Sequence, residues 1–104
     1  DVAPVLAVDM NANFYATNKA LARMAEILDY TDKSILWEEK ARKVKENLFK
    51  YCYDEEDAFF YDVDKHGNKR KYRSCAIFHM FMEGVLDEDE DRDIIDRIYD
   101  FYDK

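Results

Sequence analysis

The feature that most restricts the fold is a repeated helical spacing of apolar side chains. Over residues 33–51 the apolar positions step by four, three and four residues, at Trp37, Ala41, Val44 and Leu48, so they share one face of an α-helix. Charged side chains fill the positions between them. The 104 residues hold only two glycines and one proline, too few for a turn-rich all-β fold. The spacing therefore predicts an amphipathic helix in a mainly helical protein.

The same spacing predicts an earlier helix over residues 11–28. Its apolar positions are Phe14, Leu21, Met24, Ala25 and Leu28. Either Asp9 or Asn11 is expected to cap its start, because their side-chain oxygens accept hydrogen bonds from the free N–H groups of a first helical turn. Thr31 or Asp32 is expected to cap the next helix in the same way. Since a short polar turn joins the two helices, they are predicted to pack as an antiparallel αα-hairpin.

A short segment with β character follows this hairpin. Residues 59–63 are aromatic or β-branched and suit a strand, and an acidic turn over 54–57 precedes them. Residues 65–68 suit a second turn, and the basic residues 69–73 are expected to return as a strand with a solvated face. The sequence therefore predicts one small β-hairpin inserted between helices.

Two further helices are predicted, over residues 74–86 and 88–102. The first is apolar over much of its circumference, so we expect it to be deeply buried. The apolar stripe of the second consists of Ile94, Ile95, Ile98, Phe101 and Tyr102. Asp87 and Glu90 have the spacing of a capping box in which Asp replaces Ser or Thr. The predicted fold class is thus all-α: antiparallel helical hairpins with one small β-hairpin insertion.

The charge of the chain limits its partners. The formal net charge is −8, and nucleic-acid binding needs clustered cations, of which the chain has only the short run at 69–73. No apolar run approaches the roughly 20 residues of a membrane span. We therefore expect neither a nucleic-acid partner nor a membrane partner.

Cysteine and histidine give no sign of a metal site or of a cofactor. Cys52 and Cys75 form no Cys-x-x-Cys pair and have no histidine at zinc-ligand spacing. We expect both to be buried thiols in a reducing compartment, which predicts a cytoplasmic location. His79 lies among apolar residues with no second ligand nearby, so we expect a core histidine.

Several segments resemble one known family, in the same order along the chain. They are Val8-Asp9-Met10-Asn11-Ala12-Asn13-Phe14-Tyr15, Ala20-Leu21-Ala22-Arg23-Met24-Ala25, Trp37 with Ala41, and Tyr53-Asp54-Glu55-Glu56-Asp57-Ala58-Phe59-Phe60-Tyr61-Asp62. Together they resemble motifs of α/α-barrel glycoside hydrolases of the trehalase and processing α-glucosidase type. The resemblance covers residues 5–86. Tyr53 and Ala58 depart from the family's usual Trp and Gly.

The resemblance implies an (α/α)6 barrel, which needs more helices than this chain supplies. Residues 1–104, which begin without an initiator methionine, are therefore expected to be a single fragment of a larger α/α-barrel catalytic domain. Its helices are expected to expose apolar faces. The rest of the barrel would cover those faces, or the fragment would associate with itself through them.

The resemblance also implies a reaction, hydrolysis of an α-glucosidic or related bond in di- or oligosaccharides with inversion. Inversion uses a carboxylic acid and a carboxylate that flank the scissile bond. In the family the acid precedes the motif that contains Val8, and the base follows the segment that ends near Leu86. We therefore assign no catalytic residue to this chain. The fragment alone is expected to be inactive, with carbohydrate as the partner of the full-length enzyme.

Three residues are candidates for substrate binding: Asp9, Asn11 and Tyr15. Asp9 and Asn11 lie at the start of the first predicted helix, where they would line the sugar pocket or position a catalytic group. Tyr15 would face the same pocket and stack on a sugar ring. The alternatives are helix capping for Asp9 and Asn11, and core packing for Tyr15.

Two functions without catalysis are the alternatives to a glycosidase. The paired helices also suit a helical-repeat interaction module, with its partner on an aromatic surface formed by Phe59, Phe60 and Tyr61. The other hypothesis is a helical oligomer whose acidic face serves only solubility.

Overall fold

The computed structural model describes residues 6–103. Two long helices come first, α1 at Val8–Ile27 and α2 at Thr31–Asn47. A π-helical turn at Leu48–Cys52 continues the second helix. The periodicity of apolar residues had predicted both helices, and the structure confirms them.

The second half of the chain is built from shorter elements. Two strands, β1 at Tyr53–Asp54 and β2 at Phe59–Phe60, form a two-stranded antiparallel sheet. A 3-10 turn at Cys75–Phe78 leads into the single-turn helix α3 at His79–Met82, and α4 spans Arg92–Tyr102. The predicted fold class, all-α with one small β-hairpin, is confirmed.

The first two helices pack as the predicted hairpin, and their buried residues are mostly small. Lys19 on α1 forms an ion pair with Glu38 on α2, with Nζ and Oε2 2.9 Å apart. The buried alanines of the two helices are Ala12, Ala22, Ala25 and Ala41. Such small side chains let two helix axes approach closely. The second helix begins at Thr31, so Thr31 and Asp32 lie in its first turn and do not cap it as predicted.

Three of the five residues of the predicted first stripe face solvent, whereas Ala25 is buried as predicted and Leu21 is half-buried. Phe14, Met24 and Leu28 are 51%, 56% and 58% exposed. Together with Met10, which is also exposed, they form what we call the outer stripe of α1. Positions four and fourteen residues apart lie on one side of a helix, because 3.6 residues make a turn. The helix therefore has two apolar faces, and the alanine face is the one that this chain buries.

A distant side chain caps α1. The helix begins at Val8, so Asp9 lies inside its first turn, and neither Asp9 nor Asn11 caps it as predicted. The acceptor is instead Asp62 Oδ1, which lies 2.8 Å from the Val8 nitrogen although 54 residues separate the two in sequence. A carboxylate at this end of a helix also interacts favourably with the helix dipole.

Strand β2 pairs with residues on its N-terminal side, those of β1, and not with residues 69–73 as predicted. In the two-stranded sheet Tyr53 is opposite Phe60, and Asp54 is opposite Phe59. The acidic turn lies between these strands, as its position before β2 had predicted. The hairpin is therefore shorter than predicted and lies earlier in the chain.

The predicted return strand, residues 69–73, contributes a single bridge, between Val63 and Lys69. The predicted turn and return are thus present around this bridge, where Arg70 donates its N–H to the Asp62 carbonyl at 2.8 Å. The rest of the predicted strand is wrong, because the N–H groups of Tyr72 and Ser74 donate locally, to the carbonyls of Arg70 and Tyr72. Val63 uses its own N–H and C=O on Leu6, at 3.0 Å each. As a result, the segment just before α1 is held beside the end of the aromatic strand.

The core is aromatic and lies around β2. Phe59, Phe60 and Tyr61 are only 1%, 3% and 3% exposed. Residues packed in the same cluster include Leu48, Cys52, Ile77, Met80, Val85 and Ile98. Aromatic rings supply much of the buried area in a core this small. The proposed interaction surface on Phe59, Phe60 and Tyr61 is therefore wrong, since these side chains are inside the protein.

The two C-terminal helices are shorter than predicted. The helix expected over 74–86 ends near Gly84, which has a φ of +76°, a conformation that favours glycine after a helix end. The last helix begins at Arg92 and not at residue 88. Asp87 Oδ1 accepts hydrogen bonds from the N–H groups of residues 89 and 90, at 2.8 and 2.9 Å. It therefore caps a turn that precedes the helix.

The two cysteines lie in different environments. Cys52 is a buried thiol, as predicted, and burial raises its pKa to about 12. Cys75 is exposed, so the prediction of a buried thiol is wrong there, because the residue opens the 3-10 turn at the surface. His79 is only partly buried, so it is not the fully enclosed core histidine that we expected.

Candidate functional site

Two polar clefts open at the N-terminal end of α1. The residues before the helix are tied to the end of the aromatic strand by the pair of 3.0 Å hydrogen bonds between Leu6 and Val63. Asp62, beside this bridge, holds the first helical N–H at Val8. Two parts of the chain that are far apart in sequence thus position the first helical turn.

One cleft opens beside this junction, with a volume of about 390 Å³. It is called the Tyr72 cleft here, and its lining residues are Val8, Phe60, Asp62, Arg70, Tyr72, Ser74 and Ala76. Arg70, Tyr72 and Ser74 alternate along one segment, and all three line this cleft. The cleft thus combines a carboxylate, a guanidinium, a hydroxyl and an aromatic ring.

The intervening basic residues of this segment make contacts with the acidic turn and the aromatic core. Lys71 forms ion pairs with Asp54 and Asp57. The guanidinium of Arg73 lies 4.1 Å from the ring centre of Phe101 and 4.8 Å from that of Phe59, which are cation–π distances. The basic run therefore has two faces, of which one fastens the segment and the other lines a cleft.

The acidic turn itself does not have the properties of a general acid. The hydrogen bond from Lys71 lowers the pKa of the Asp54 carboxyl. The hydrogen bond from the Tyr61 hydroxyl, 2.7 Å from Asp57 Oδ2, lowers the pKa of Asp57. A general acid working near neutral pH needs a raised pKa. These carboxylates are therefore ionised partners of nearby donors.

A second cleft, of about 440 Å³, lies at the same end of α1 and contains Asp9. The residues that line it are Ala7, Asp9, Met10, Asn13, His79 and Glu83. Asp9 is exposed, and its Oδ1 accepts a hydrogen bond of 2.8 Å from the N–H of Met10. Two carboxylates, an amide and an imidazole thus share a solvent-accessible cleft.

Asn11 and Tyr15 lie elsewhere on α1. Asn11 Nδ2 donates to the Ala7 carbonyl at 2.8 Å, so its amide stabilises the helix start although it does not cap it. Tyr15 lines a third cleft, of about 420 Å³, between the two long helices. In that cleft the hydrogen bond to Glu38 raises the pKa of Lys19. The structure therefore does not bring the three predicted site residues into one cleft.

The sequence interpretation missed the residues of the Tyr72 cleft. The weak signal for them is the alternation of Arg70, Tyr72 and Ser74 after the Tyr61-Asp62 pair.

No group of three or more His, Cys, Asp or Glu side chains within residues 6–103 is arranged to hold a metal ion. Across the same residues, no helix is long and apolar enough to cross a membrane.

The structure is of the helical-hairpin α/α class. It has paired antiparallel helices with an exposed apolar face, and polar clefts at one helix end. Within that class, the family model of the mannosylglycerate hydrolase MGH1-like glycoside hydrolase domain matches residues 2–101. The chain belongs to this family. The resemblance to glycoside hydrolases of the (α/α)6 type is thereby confirmed.

A curated relative points the same way. A probable trehalase of Eremothecium gossypii is 29% identical over 100 residues, which cover 86% of this chain and 14% of the relative. The chain thus spans about a seventh of the length of the relative that it matches. No solved structure matches the chain.

Proposed function

We propose that residues 1–104 are one part of a larger α/α-barrel catalytic domain. The observation that carries this proposal is the outer stripe of α1, in which Phe14, Met24 and Leu28 are each about half exposed. Monomeric proteins rarely leave contiguous apolar surface of this kind uncovered. In an α/α barrel each helical pair packs against the next, so a neighbouring pair would cover this stripe. The family match and the short share of the trehalase relative support the same proposal.

We further propose the reaction, hydrolysis of an α-glucosidic or related bond in a di- or oligosaccharide with inversion. The name of the trehalase relative supports the bond type, since trehalose joins two glucose units by an α-linkage. Inversion needs two carboxyl groups about 6.5–9.5 Å apart with a water between them. In our proposal both groups lie in the rest of the domain. The chain alone is then inactive and supplies walls of the substrate pocket.

Asp9, Asn11 and Tyr15 remain our proposed substrate-binding residues. Asp9 has the strongest support, because it is exposed in a cleft beside Asn13, His79 and Glu83. Asn11 would act through the helix start that its amide stabilises. Tyr15 would contact substrate only if the sugar extends along α1 to the cleft between the long helices.

The free thiols support the proposed location, and the exposed outer stripe of α1 supports the proposed association. Both cysteines are free thiols, which fits a reducing compartment, and we propose that the protein is cytoplasmic. The outer stripe of α1 would be covered by the rest of the barrel in the full-length protein. In the isolated chain the same stripe would promote self-association.

The activity test compares the full-length protein with the 104-residue chain. Each is incubated with trehalose, maltose and mannosylglycerate, and released sugar is followed by NMR, which also reports the anomer formed first. We expect the full-length protein to release the anomer of inverted configuration from at least one substrate, and the chain alone to release none. Turnover by the chain alone, abolished by Asp9→Asn, would overturn the assignment of catalysis to the rest of the domain.

A further inference from the structure

We propose that the Tyr72 cleft is a carbohydrate subsite that holds one neutral sugar ring. The inference rests on the proposed function for the class of ligand, but the cleft is separate from the pocket of Asp9 and contains none of the three substrate-binding residues proposed above. Its volume of about 390 Å³ lies in the range of roughly 300–1,000 Å³ that small-molecule sites occupy.

The backbone of the cleft is held on both sides. On one side Arg70 donates its N–H to the Asp62 carbonyl at 2.8 Å. On the other side Lys71 and Arg73 fasten the same segment to the acidic turn and the aromatic core. The side chains at 70, 72 and 74 therefore project from an anchored backbone segment, and a preformed site loses less entropy when it binds.

The polar groups of the cleft suit hydroxyl groups. The Asp62 carboxylate accepts hydrogen bonds, and the N–H of Val8 uses only one of its lone pairs. The Ser74 hydroxyl accepts from the N–H of Ala76 at 3.2 Å, so its own hydrogen remains for donation. The Arg70 guanidinium donates only. A sugar hydroxyl both donates and accepts, and it matches such a mixture of groups.

The balance of charge decides between a neutral and an acidic sugar. Asp62 and Arg70 bring one negative and one positive charge to the same cleft. An anionic ligand would gain from the guanidinium but would lie near the carboxylate, and like charges in one site repel. A neutral ring avoids that repulsion and can hydrogen-bond to both groups.

Tyr72 supplies the apolar wall. Its side chain is 77% exposed, the highest value among the exposed large apolar residues of the described part of the chain. An aromatic ring offers a flat apolar face with a polar tip, and one face of a pyranose carries mainly C–H groups. Stacking of the two faces would cover the ring of Tyr72, which is largely exposed among residues 6–103.

The test uses the full-length protein and measures the binding of trehalose by saturation-transfer NMR titration. Tyr72→Ala is expected to weaken trehalose binding about tenfold, since an aromatic contact contributes up to about 1.5 kcal/mol. Tyr72→Phe, which keeps the ring, is expected to stay within about twofold of the wild type. The side chain is exposed, so neither change should disturb the fold, and circular dichroism checks this.

A control variant and a control ligand show whether the effect is specific to Tyr72 and to a neutral sugar. Tyr51→Ala removes another exposed tyrosine, in the π-helical turn at Leu48–Cys52, and should leave trehalose binding unchanged. Mannosylglycerate serves as the anionic probe, and the neutral-ring assignment fails if Tyr72→Ala weakens only that ligand. Equal trehalose affinity for wild type and Tyr72→Ala would refute the subsite.

The proposed function and the subsite fail in different ways. Sugar release with trehalose binding that ignores Tyr72 would reject the subsite and leave the glycosidase proposal standing. Tyr72-dependent binding without hydrolysis of any substrate would support the subsite and reject the glycosidase proposal.

Discussion

The two ends of the α1–α2 hairpin differ in how they use apolar residues. At the open end, Val8 and Ala12 of α1 and Leu48 at the end of α2 join the buried cluster around β2. At the loop end, the buried residues near the turn are Ala22 and Ala25. The large apolar residues there are exposed: Met24, Ile27, Leu28, Tyr30, Ile35 and Leu36. The hairpin therefore buries large apolar residues only at the open end, although Met10 and Phe14 of the outer stripe are exposed there as well.

This difference shows where the chain depends on a neighbour. Burial of one large aliphatic side chain stabilises a protein by about 1.5–3 kcal/mol, so the five exposed aliphatic ones represent stabilisation that a packed partner would supply. The alanine contacts at the loop end hold the two helices together but bury little area. Substitutions at the two ends should consequently respond differently to the presence of the rest of the domain.

The largest effect is expected at the open end, for Phe59→Ala. The side chain is 1% exposed, and its ring centre lies 5.2 Å from that of Tyr61. Loss of a buried phenylalanine costs about 3–5 kcal/mol, because a cavity replaces its contacts. Urea unfolding of the full-length protein, followed by circular dichroism, measures the loss. Phe59→Leu should recover much of the stability, and a Phe59→Ala variant as stable as wild type would place the core elsewhere.

A smaller effect, about 2–4 kcal/mol, is expected at the loop end for Leu28→Asp in the full-length protein. There a covering helix would bury the introduced carboxylate without a partner, which is costly. Lys33→Asp, at a nearby exposed polar position, serves as the matched control and should change stability by less than about 0.5 kcal/mol. In the 104-residue chain, Leu28→Asp should instead reduce self-association, as measured by light scattering.

If Leu28→Asp and Lys33→Asp behave alike in the full-length protein, no neighbour covers the loop end. The proposal of a larger helical domain would then lose its main structural support. The comparison between the two ends of the hairpin is thus tested by one pair of variants.

The helices could be predicted from the sequence because their apolar spacing is strong and local. Which face of α1 is buried could not be predicted, since Phe14 and Leu28 form one apolar face while Ala12 and Ala22 belong to the other. A spacing argument favours the larger residues, whereas the chain buries the small ones that permit close packing of helices. Only the contacts with α2 decide between the two faces.

Pairings between distant segments also could not be predicted from local sequence patterns. The cap of α1 comes from Asp62, 54 residues from Val8, and the bridge partner of Val63 is Leu6. Candidate-site prediction met the same limit. Asp9 could be placed at a helix start from its neighbours alone, whereas the Tyr72 cleft exists only because residues 70–74 pass beside that helix start.

The acidic turn beside β2 offers the last and smallest test of the open end. Asp57 accepts a hydrogen bond from Tyr61, and an ion pair with Lys71 adds to it, with 3.3 Å between Nζ and Oδ2. Both contacts lower the pKa of the carboxyl, and that of Tyr61 is the larger cause. A carboxyl with a lowered folded-state pKa stabilises the protein above its unfolded pKa of about 3.9, and this contribution is lost as pH falls through the folded value.

Tyr61→Phe removes the larger of the two contacts and keeps the ring, so it should flatten the fall in stability between about pH 5 and pH 2.5. Melting temperatures of wild-type and variant full-length protein across this range measure the difference. Tyr53→Phe is the matched control, because Tyr53 packs on the same ring cluster, 4.9 Å from Phe60, and its pKa is raised mainly by burial. A Tyr61→Phe protein that loses stability with acid as steeply as the wild type would show that this contact contributes nothing to the open end, and that the aromatic packing alone stabilises it.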